Sequence, residues 1–124
     1  MLILRHSLMG LRKNMQGNKA KPVVISPLAQ QDIESILKYL SENWDQNVID
    51  NFLQKLEKFY LIISINPKVF GYYSKSRNIR NYAITKQQVI YYKSRRNQVE
   101  IITVFDTRQS HSKLKKILSS KKNR

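Results

Sequence analysis

The residues best suited to chemistry in this sequence follow an apolar run near its C-terminus. The stretch VFDTRQSHSKLKK, residues 104–116, places Asp106 and Arg108 two positions apart, with His111 and three lysines close behind. An arginine at a strand end can bind an anion, and a neighbouring carboxylate can accept a proton or pair with that arginine. We interpret Arg108 as a functional residue and His111 as a surface residue. For Asp106 we favour a turn cap or a pair with Arg108 over a role as general base.

Basic charge is concentrated in the second half of the chain. Residues 1–21 carry five basic and no acidic residues, residues 22–67 carry three against six, and residues 68–124 carry fifteen against two. This division predicts a polyanionic partner for the second half, either nucleic acid or an acidic protein. Lysines that serve solubility alone are the competing explanation, and they would be spread more evenly.

The composition excludes several classes of protein. There is no cysteine, and His6 and His111 are the only histidines, so a disulfide framework or a thiolate metal site is impossible and a zinc site is not expected. No apolar run approaches the roughly 20 residues needed to cross a bilayer. A chain of 124 residues suffices for one domain. We therefore expect a soluble, cytoplasmic protein without metal or other cofactor.

Two helices are predicted to position the first half of the chain. A short β-branched run at residues 22–26 predicts an N-terminal strand. It ends at Ser26, which caps a helix that begins at Pro27 and continues to about Asn43. Its apolar residues recur at helical spacing, while its other faces carry Asp32, Glu34, Lys38 and Glu42. A second helix follows an N-cap at Asp45 and ends at Asn66, because the residue before a proline leaves the helical region. So short a connection predicts an antiparallel hairpin.

Three strands should then position the residues of the second half. After a polar loop at residues 68–77, the apolar period changes to two over residues 78–84, 88–94 and 98–106, which predicts an antiparallel meander. The last strand is apolar on both sides and is predicted to be central. Val99, Ile101, Thr103 and Phe105 should share one face, opposite Ile102 and Val104. A short helix over SKLKKIL closes an α+β fold of two layers, with the hairpin packed on a small, mainly antiparallel sheet.

The order of these elements resembles the RelE/ParE family of bacterial toxins from type II toxin–antitoxin systems. The resemblance rests on ISPLAQQDIESILKYL in the first helix, NIR and VIYY in the meander, and VFDTRQSHSKL at the end. It covers about residues 22–118, so we expect a toxin domain there. It leaves a basic extension at residues 1–21, predicted to be disordered, and a basic tail at residues 119–124.

The resemblance implies one of two activities. RelE-like members cut messenger RNA on the ribosome, which requires a base for the 2′-hydroxyl proton and positive charge at the pentavalent phosphate, and ParE-like members poison DNA gyrase. Arg80 in NIR and Arg108 in DTRQ match two positions of the nuclease pattern, so both are predicted to be catalytic. Gln88 and Asp106 stand where that pattern has an arginine and a histidine. We expect a ribosome-dependent mRNA endonuclease, with a gyrase poison or an inactive nucleic-acid-binding member as the alternatives.

The same resemblance implies further contacts. A cognate antitoxin should bind the toxin through an acidic amphipathic segment, and the ribosome with its mRNA, or alternatively DNA gyrase, should be the target. The residues predicted to bind nucleic acid are Lys86, Tyr92, Lys93, Arg95, Arg96 and Lys113.

Overall fold

The computed structural model of the protein describes residues 20–120. The predicted extension and basic tail lie outside the described residues, apart from residues 20, 21, 119 and 120. The elements, in chain order, are β1 (Val23–Ile25), α1 (Pro27–Asn43), α2 (Gln46–Ile65), β2 (Tyr72–Ser74), β3 (Ile79–Ala83), β4 (Gln88–Ser94), β5 (Val99–Asp106) and α3 (His111–Leu118).

The first helix begins where its capping residue also contacts the sheet. The hydroxyl of Ser26 accepts a hydrogen bond from the Ala29 N–H at 3.0 Å, and it donates to the carbonyl of Ile102 in β5 at 2.7 Å. The predicted cap at Asp45 is also confirmed, since its side chain accepts from the Val48 N–H at 3.3 Å. Both caps satisfy backbone donors that a helix leaves unpaired at its start.

Within residues 20–120, the sheet has five strands in the order β1-β5-β4-β3-β2. β1 runs parallel to β5, and the other neighbours are antiparallel. The predicted meander and the central position of β5 are confirmed. One strand was not predicted: β2 lies inside the stretch expected to be a loop, and it pairs with β3 at the sheet edge.

A bulge changes the side-chain alternation of β5. Tyr91 faces Thr103 and Tyr92 faces Ile101, so Ile102 is the unmatched residue between the two pairs. A single extra residue moves every later side chain to the other side of the sheet. The prediction that Val99, Ile101, Thr103 and Phe105 share one face is therefore wrong. Val104 joins the cluster of Val99 and Ile101, and Phe105 joins that of Ile102.

Two apolar clusters hold the layers together. The larger one lies between the helical hairpin and the sheet and includes Ile33, Leu56, Phe59, Tyr92 and Ile101. The smaller one includes Tyr91 and Ile102 from the strands and Leu114 and Leu118 from α3. Because Tyr91 and Tyr92 are consecutive in β4, these clusters lie on opposite faces of the sheet. The predicted α+β fold, with its hairpin and short C-terminal helix, is confirmed.

Candidate functional site

The end of β5 forms an ordered turn around one ion pair. Asp106 accepts hydrogen bonds from Arg108 through both carboxylate oxygens, from Nε at 3.0 Å and from Nη2 at 2.7 Å. The same carboxylate accepts from the Arg108 backbone N–H at 2.8 Å. The guanidinium lies 5.7 Å from the ring centroid of Tyr39 in α1. Asp106 therefore pairs with Arg108 and shapes the turn, which is the interpretation favoured from the sequence.

The ionisation of this pair follows from its geometry. Hydrogen bonds from Arg108 hold the pKa of the Asp106 carboxyl below its usual value, against a smaller opposing effect of burial. The same contacts, with a contribution from Tyr39, raise the pKa of Arg108. In such a bidentate pair, two N–H groups of the guanidinium donate to the two oxygens of one carboxylate. The Arg108 side chain is nevertheless 54% exposed, so its remaining donors reach solvent.

Gln88 lies directly beside this pair in the sheet. It is the register partner of Asp106 across β4 and β5, and it is buried. Its side-chain carbonyl accepts from the hydroxyl of Thr85, and that hydroxyl oxygen accepts from the backbone N–H groups of Gln87 and Gln88 at 3.1 and 3.0 Å. Thus Gln88 fixes the β3–β4 turn, and it brings no positive charge to the position where the nuclease pattern has an arginine.

Asp32 is a site residue that sequence reasoning missed. The prediction that it lies on a polar face of α1 is wrong, because its Oδ2 accepts from the Thr103 hydroxyl at 2.6 Å and from the Val104 N–H at 3.0 Å. Burial raises the pKa of this carboxyl, while those two hydrogen bonds and the charge of Lys113 act in the opposite direction. Asp32 lies three residues after Ala29 and four residues before Ile36, and this spacing places it on the face of α1 that packs against the sheet. That spacing was the sequence signal for its position.

Two grooves meet at Arg108. One, of 310 Å³, is lined by residues of α1, β4, β5, α3 and the turn between β5 and α3, among them Asp32, Gln88, Asp106, Arg108 and Lys113. The other, of 360 Å³, runs between the helical hairpin and the β3–β4 turn, and Arg108, Tyr39 and Gln88 line both. The first groove is the place where a carboxyl with a raised pKa and two cations lie together.

Arg80 does not reach this site. Only 7% of the residue is exposed, its Nη1 donates to the carbonyls of Lys68 and Phe70 at 3.2 and 2.6 Å, and its Cζ lies 3.9 Å from the ring centroid of Tyr72. Arg80 pairs with Tyr92, whereas Asp106 pairs with Gln88, four residues away on β4. At the usual rise per residue, the pair Arg80–Tyr92 therefore lies about 13 Å along the strand from the pair Gln88–Asp106. The structure therefore places the two predicted catalytic arginines apart and gives Arg80 contacts that position a loop.

Tyr92 is also enclosed by protein. Its side chain is fully buried, and its hydroxyl donates to the carbonyl of Pro67 at 2.9 Å. Burial raises the pKa of this phenol to about 12, and the charge of Arg80 opposes that shift. In this conformation the ring offers no face on which a base could stack, so the nucleic-acid contact predicted for Tyr92 has no support in the structure.

The remaining residues predicted to bind nucleic acid separate into two groups. Lys86, in the β3–β4 turn, and Lys113, in α3, are exposed at the end of the sheet that holds Arg108. Arg95 and Arg96 lie in the β4–β5 turn at the opposite end, where Arg95 pairs with Glu100 at 2.9 Å. Lys93 precedes that turn and is buried. The exposed cations among these residues therefore lie on two separate surfaces, at opposite ends of the sheet.

The sequence analysis predicted neither a metal site nor a membrane-spanning segment. Among residues 20–120, no three histidine, aspartate or glutamate side chains are grouped as metal ligands would be. Within the same range, no helix is both long enough and apolar enough to cross a bilayer.

Solved structures of other proteins share this fold. The YoeB dimer from Staphylococcus aureus aligns with a TM-score of 0.51 and 17% identity, over 69% of this chain and 95% of its own. The chromosomal ParDE toxin–antitoxin system from P. aeruginosa aligns with a TM-score of 0.59 and 9% identity, over 72% of this chain and 98% of its own. At these identities the likeness establishes the fold alone. No curated protein sequence matches the chain significantly.

The family is established by the sequence itself. Residues 23–111 match the family of ParE toxins of type II toxin–antitoxin systems, parDE, so the match extends from β1 to the start of α3. The chain therefore belongs to this family of toxins. The resemblance to RelE/ParE toxins inferred above is confirmed.

Proposed function

We propose that this toxin arrests growth by poisoning DNA gyrase and that it does not cleave RNA. The observation that carries the proposal is the engagement of both predicted catalytic arginines by protein groups. Arg108 is held by Asp106 through two hydrogen bonds, and Arg80 is buried against two backbone carbonyls. Stabilising a pentavalent phosphate needs cations that converge on one point. Arg80 lies about 13 Å along the sheet from Asp106, the residue that holds Arg108.

The neighbouring positions support the same proposal. Gln88 and Asp106 occupy places where the nuclease pattern has an arginine and a histidine, and His111 is exposed at the first turn of α3. Membership in the ParE family favours the activity of ParE-like members over that of RelE-like members.

The test uses the purified full-length chain in two parallel assays. With gyrase and plasmid DNA we expect loss of supercoiling and accumulation of cleaved DNA. With programmed ribosomes we expect no new mRNA ends by primer extension. The opposite result, defined mRNA cuts beside undisturbed gyrase, would contradict the proposal.

The groove that holds Asp32 favours a second candidate function, the mRNA endonuclease. A carboxyl whose pKa is raised is better suited to act as a general base near neutral pH. In this scheme Asp32 removes the 2′-hydroxyl proton, the 2′-oxygen attacks phosphorus, and the 5′-oxygen leaves with a proton from Lys113, giving a 2′,3′-cyclic phosphate. Arg108 would contact the phosphate.

A single variant distinguishes the second candidate from the first. Asp32→Asn should abolish mRNA cutting on ribosomes if Asp32 is the base, whereas it should leave gyrase poisoning intact. Glu34→Gln, on the exposed side of the same helix, is the control for the loss of one negative charge.

We also infer that an antitoxin is the regulatory partner. The P. aeruginosa relative is described as a ParDE toxin–antitoxin system, and this chain shares its fold. The fifteen basic residues after position 67 favour an acidic amphipathic segment as the part of the antitoxin that binds.

A further inference from the structure

A second basic surface lies at the end of the sheet opposite Arg108. The β2–β3 turn carries Lys75 and Arg77, and the β4–β5 turn carries Arg95 and Arg96. We call these four residues the turn cluster. Three of them are exposed, and Arg95 is partly buried in its pair with Glu100. After position 67 the acidic residues are Glu100, which pairs with Arg95, and Asp106, which pairs with Arg108 at the other end of the sheet, so the two turns themselves carry no acidic residue.

The two turns are fixed against each other. The side-chain amide of Asn78 donates to the carbonyl of Ser94 at 2.9 Å, which ties the β2–β3 turn to the end of β4. Asn78 has a φ of 58°, a left-handed conformation that asparagine adopts more readily than most residues. In the β2–β3 turn, the Asn78 N–H donates to the Lys75 carbonyl at 3.1 Å. In the β4–β5 turn, the Arg95 N–H donates to the Gln98 carbonyl at 2.8 Å. Hydrogen bonds therefore fix the backbone of both turns that carry these cations.

A third segment adds charge at the same place. The ammonium group of Lys21 donates to the Arg95 carbonyl at 2.8 Å and to the Ser94 hydroxyl at 3.4 Å. The backbone of Lys21 is in turn held by Ser64, through hydrogen bonds of 2.9 and 2.8 Å. Three chain segments that are distant in sequence thus bring cations to one end of the sheet.

We propose that the turn cluster binds the phosphodiester backbone of nucleic acid at a site separate from the Arg108 groove. Exposed lysines and arginines on adjacent turns recognise phosphates by charge and impose little base preference. This inference goes beyond the proposed function, because it concerns binding that needs neither gyrase nor the ribosome.

The experiment measures the affinity of the full chain for short duplex DNA and single-stranded RNA at several salt concentrations. Each phosphate contact contributes a slope of about −0.9 for a duplex and about −0.7 for a single strand to the dependence of log affinity on log salt. The double variant Arg77→Gln/Arg96→Gln should therefore flatten the slope by about 1.8 with DNA and about 1.4 with RNA. Both side chains are exposed, so the fold should be retained.

The matched control removes the same charge elsewhere. Lys38→Gln/Lys58→Gln alters two exposed lysines of the helical hairpin and should leave the slope nearly unchanged. Equal flattening in both double variants would mean that net charge alone drives binding, and no flattening in the turn variant would remove these residues from the contact. Competition by polyglutamate as strong as that by nucleic acid would identify an acidic protein as the ligand. Each of these three results would overturn the proposal.

Discussion

Asp32 and Asp106 line the same groove, but their carboxyl groups are in opposite environments. Asp106 faces a guanidinium, and its pKa is lowered. Asp32 is more deeply buried, and its pKa is raised although it accepts two hydrogen bonds. Desolvation therefore outweighs hydrogen bonding at Asp32, whereas a direct ionic partner outweighs desolvation at Asp106. The two acids of one groove can thus differ in protonation at a given pH.

The first prediction concerns the pH dependence of stability at Asp32. Because the folded-state pKa lies above the ordinary value of 3.8, the native state binds more protons than the unfolded chain between the two pKa values. The contribution of Asp32 to the free energy of unfolding should fall as pH rises through that interval and be constant on either side. Asp32→Asn keeps an acceptor for Thr103 and Val104 and should remove this slope. Urea unfolding at a series of pH values measures it.

The side-chain acceptor itself is tested by a second substitution at the same position. Asp32→Ala leaves the buried Thr103 hydroxyl and the Val104 N–H without their partner, which should cost about 1–3 kcal/mol. Glu34→Gln serves as the control on the exposed side of α1. If Asp32→Ala were as stable as Asp32→Asn, the two hydrogen bonds would not contribute as described.

A second prediction compares two buried tyrosines of the same core cluster. Tyr60 and Tyr92 are both fully buried, but the Tyr60 hydroxyl has no hydrogen-bond partner among the described residues, whereas that of Tyr92 donates to Pro67. Tyr60→Phe removes an unsatisfied polar group and should leave stability unchanged or raise it. Tyr92→Phe should lower stability by about 1 kcal/mol. Thermal unfolding of both variants decides the point, and equal destabilisation would contradict it.

The connection between α2 and β2 shows how an element without regular structure is held. Three of its backbone carbonyls, those of Pro67, Lys68 and Phe70, accept hydrogen bonds from Tyr92 and Arg80. The Phe70 ring also stacks on Tyr82 at a centroid distance of 4.1 Å. Side chains of β3 and β4 thus replace the backbone partners that this segment would have in a sheet.

A third prediction follows from this arrangement. Arg80→Met keeps much of the side-chain volume but removes the charged donors to Lys68 and Phe70, so it should destabilise the protein by about 1.5–3 kcal/mol. Amide hydrogen exchange should increase in residues 66–71 more than in α1. Urea unfolding and exchange measurements test both effects. A loss of toxicity with unchanged stability would instead indicate direct contact with a target.

Periodicity predicted the long elements but not the local exceptions. In the helices and in β3 to β5 the apolar residues recur over several turns or residue pairs, so the period can be recognised even where a single position departs from it. β2 has three residues and joins only β3, and such a short edge strand carries too few residues to show alternation. The bulge at Ile102 depends on the register with β4, which the β5 sequence alone does not contain.

The candidate site was predicted only in part for a related reason. The pair of Asp106 and Arg108 is local in sequence, and its interpretation is confirmed. The contact between Asp32 and Thr103 joins residues 71 positions apart, and the burial of Arg80 depends on a loop that folds back over β3. Contacts of that kind are decided by tertiary packing.

At the scale of the whole molecule, charge is separated between two segments of the chain. Residues 22–67, which include the helical hairpin, carry six acidic and three basic residues, and residues 68–124 carry fifteen basic and two acidic residues. Because described cations of the second segment lie at both ends of the sheet, a single partner could cover one basic surface and leave the other open. Such an arrangement would allow the proposed nucleic-acid contact and an antitoxin to occupy different surfaces.

The last prediction concerns that inhibitor. We expect a small protein encoded beside this toxin to carry an acidic amphipathic segment that binds across the helical hairpin and the sheet edge, over the region of Arg80, Arg108 and α3. Electrostatic attraction acts mainly on the rate of association, so that rate should fall steeply with salt while apolar contacts hold the complex together. Stopped-flow measurements at increasing ionic strength test this.

The antitoxin experiment compares two variants that each remove two exposed lysines, Lys38→Gln/Lys58→Gln in the helical hairpin and Lys113→Gln/Lys115→Gln in α3. The loss in α3 should slow association more, because its lysines lie in the basic segment of the chain. Neutralising the acids of the antitoxin with its apolar residues intact should slow association and weaken inhibition of the toxin. An association rate unaffected by molar salt would show that apolar burial, and not charge, governs capture. If the neighbouring protein neither bound the chain nor relieved growth arrest on co-expression, an antitoxin encoded beside the toxin would be excluded.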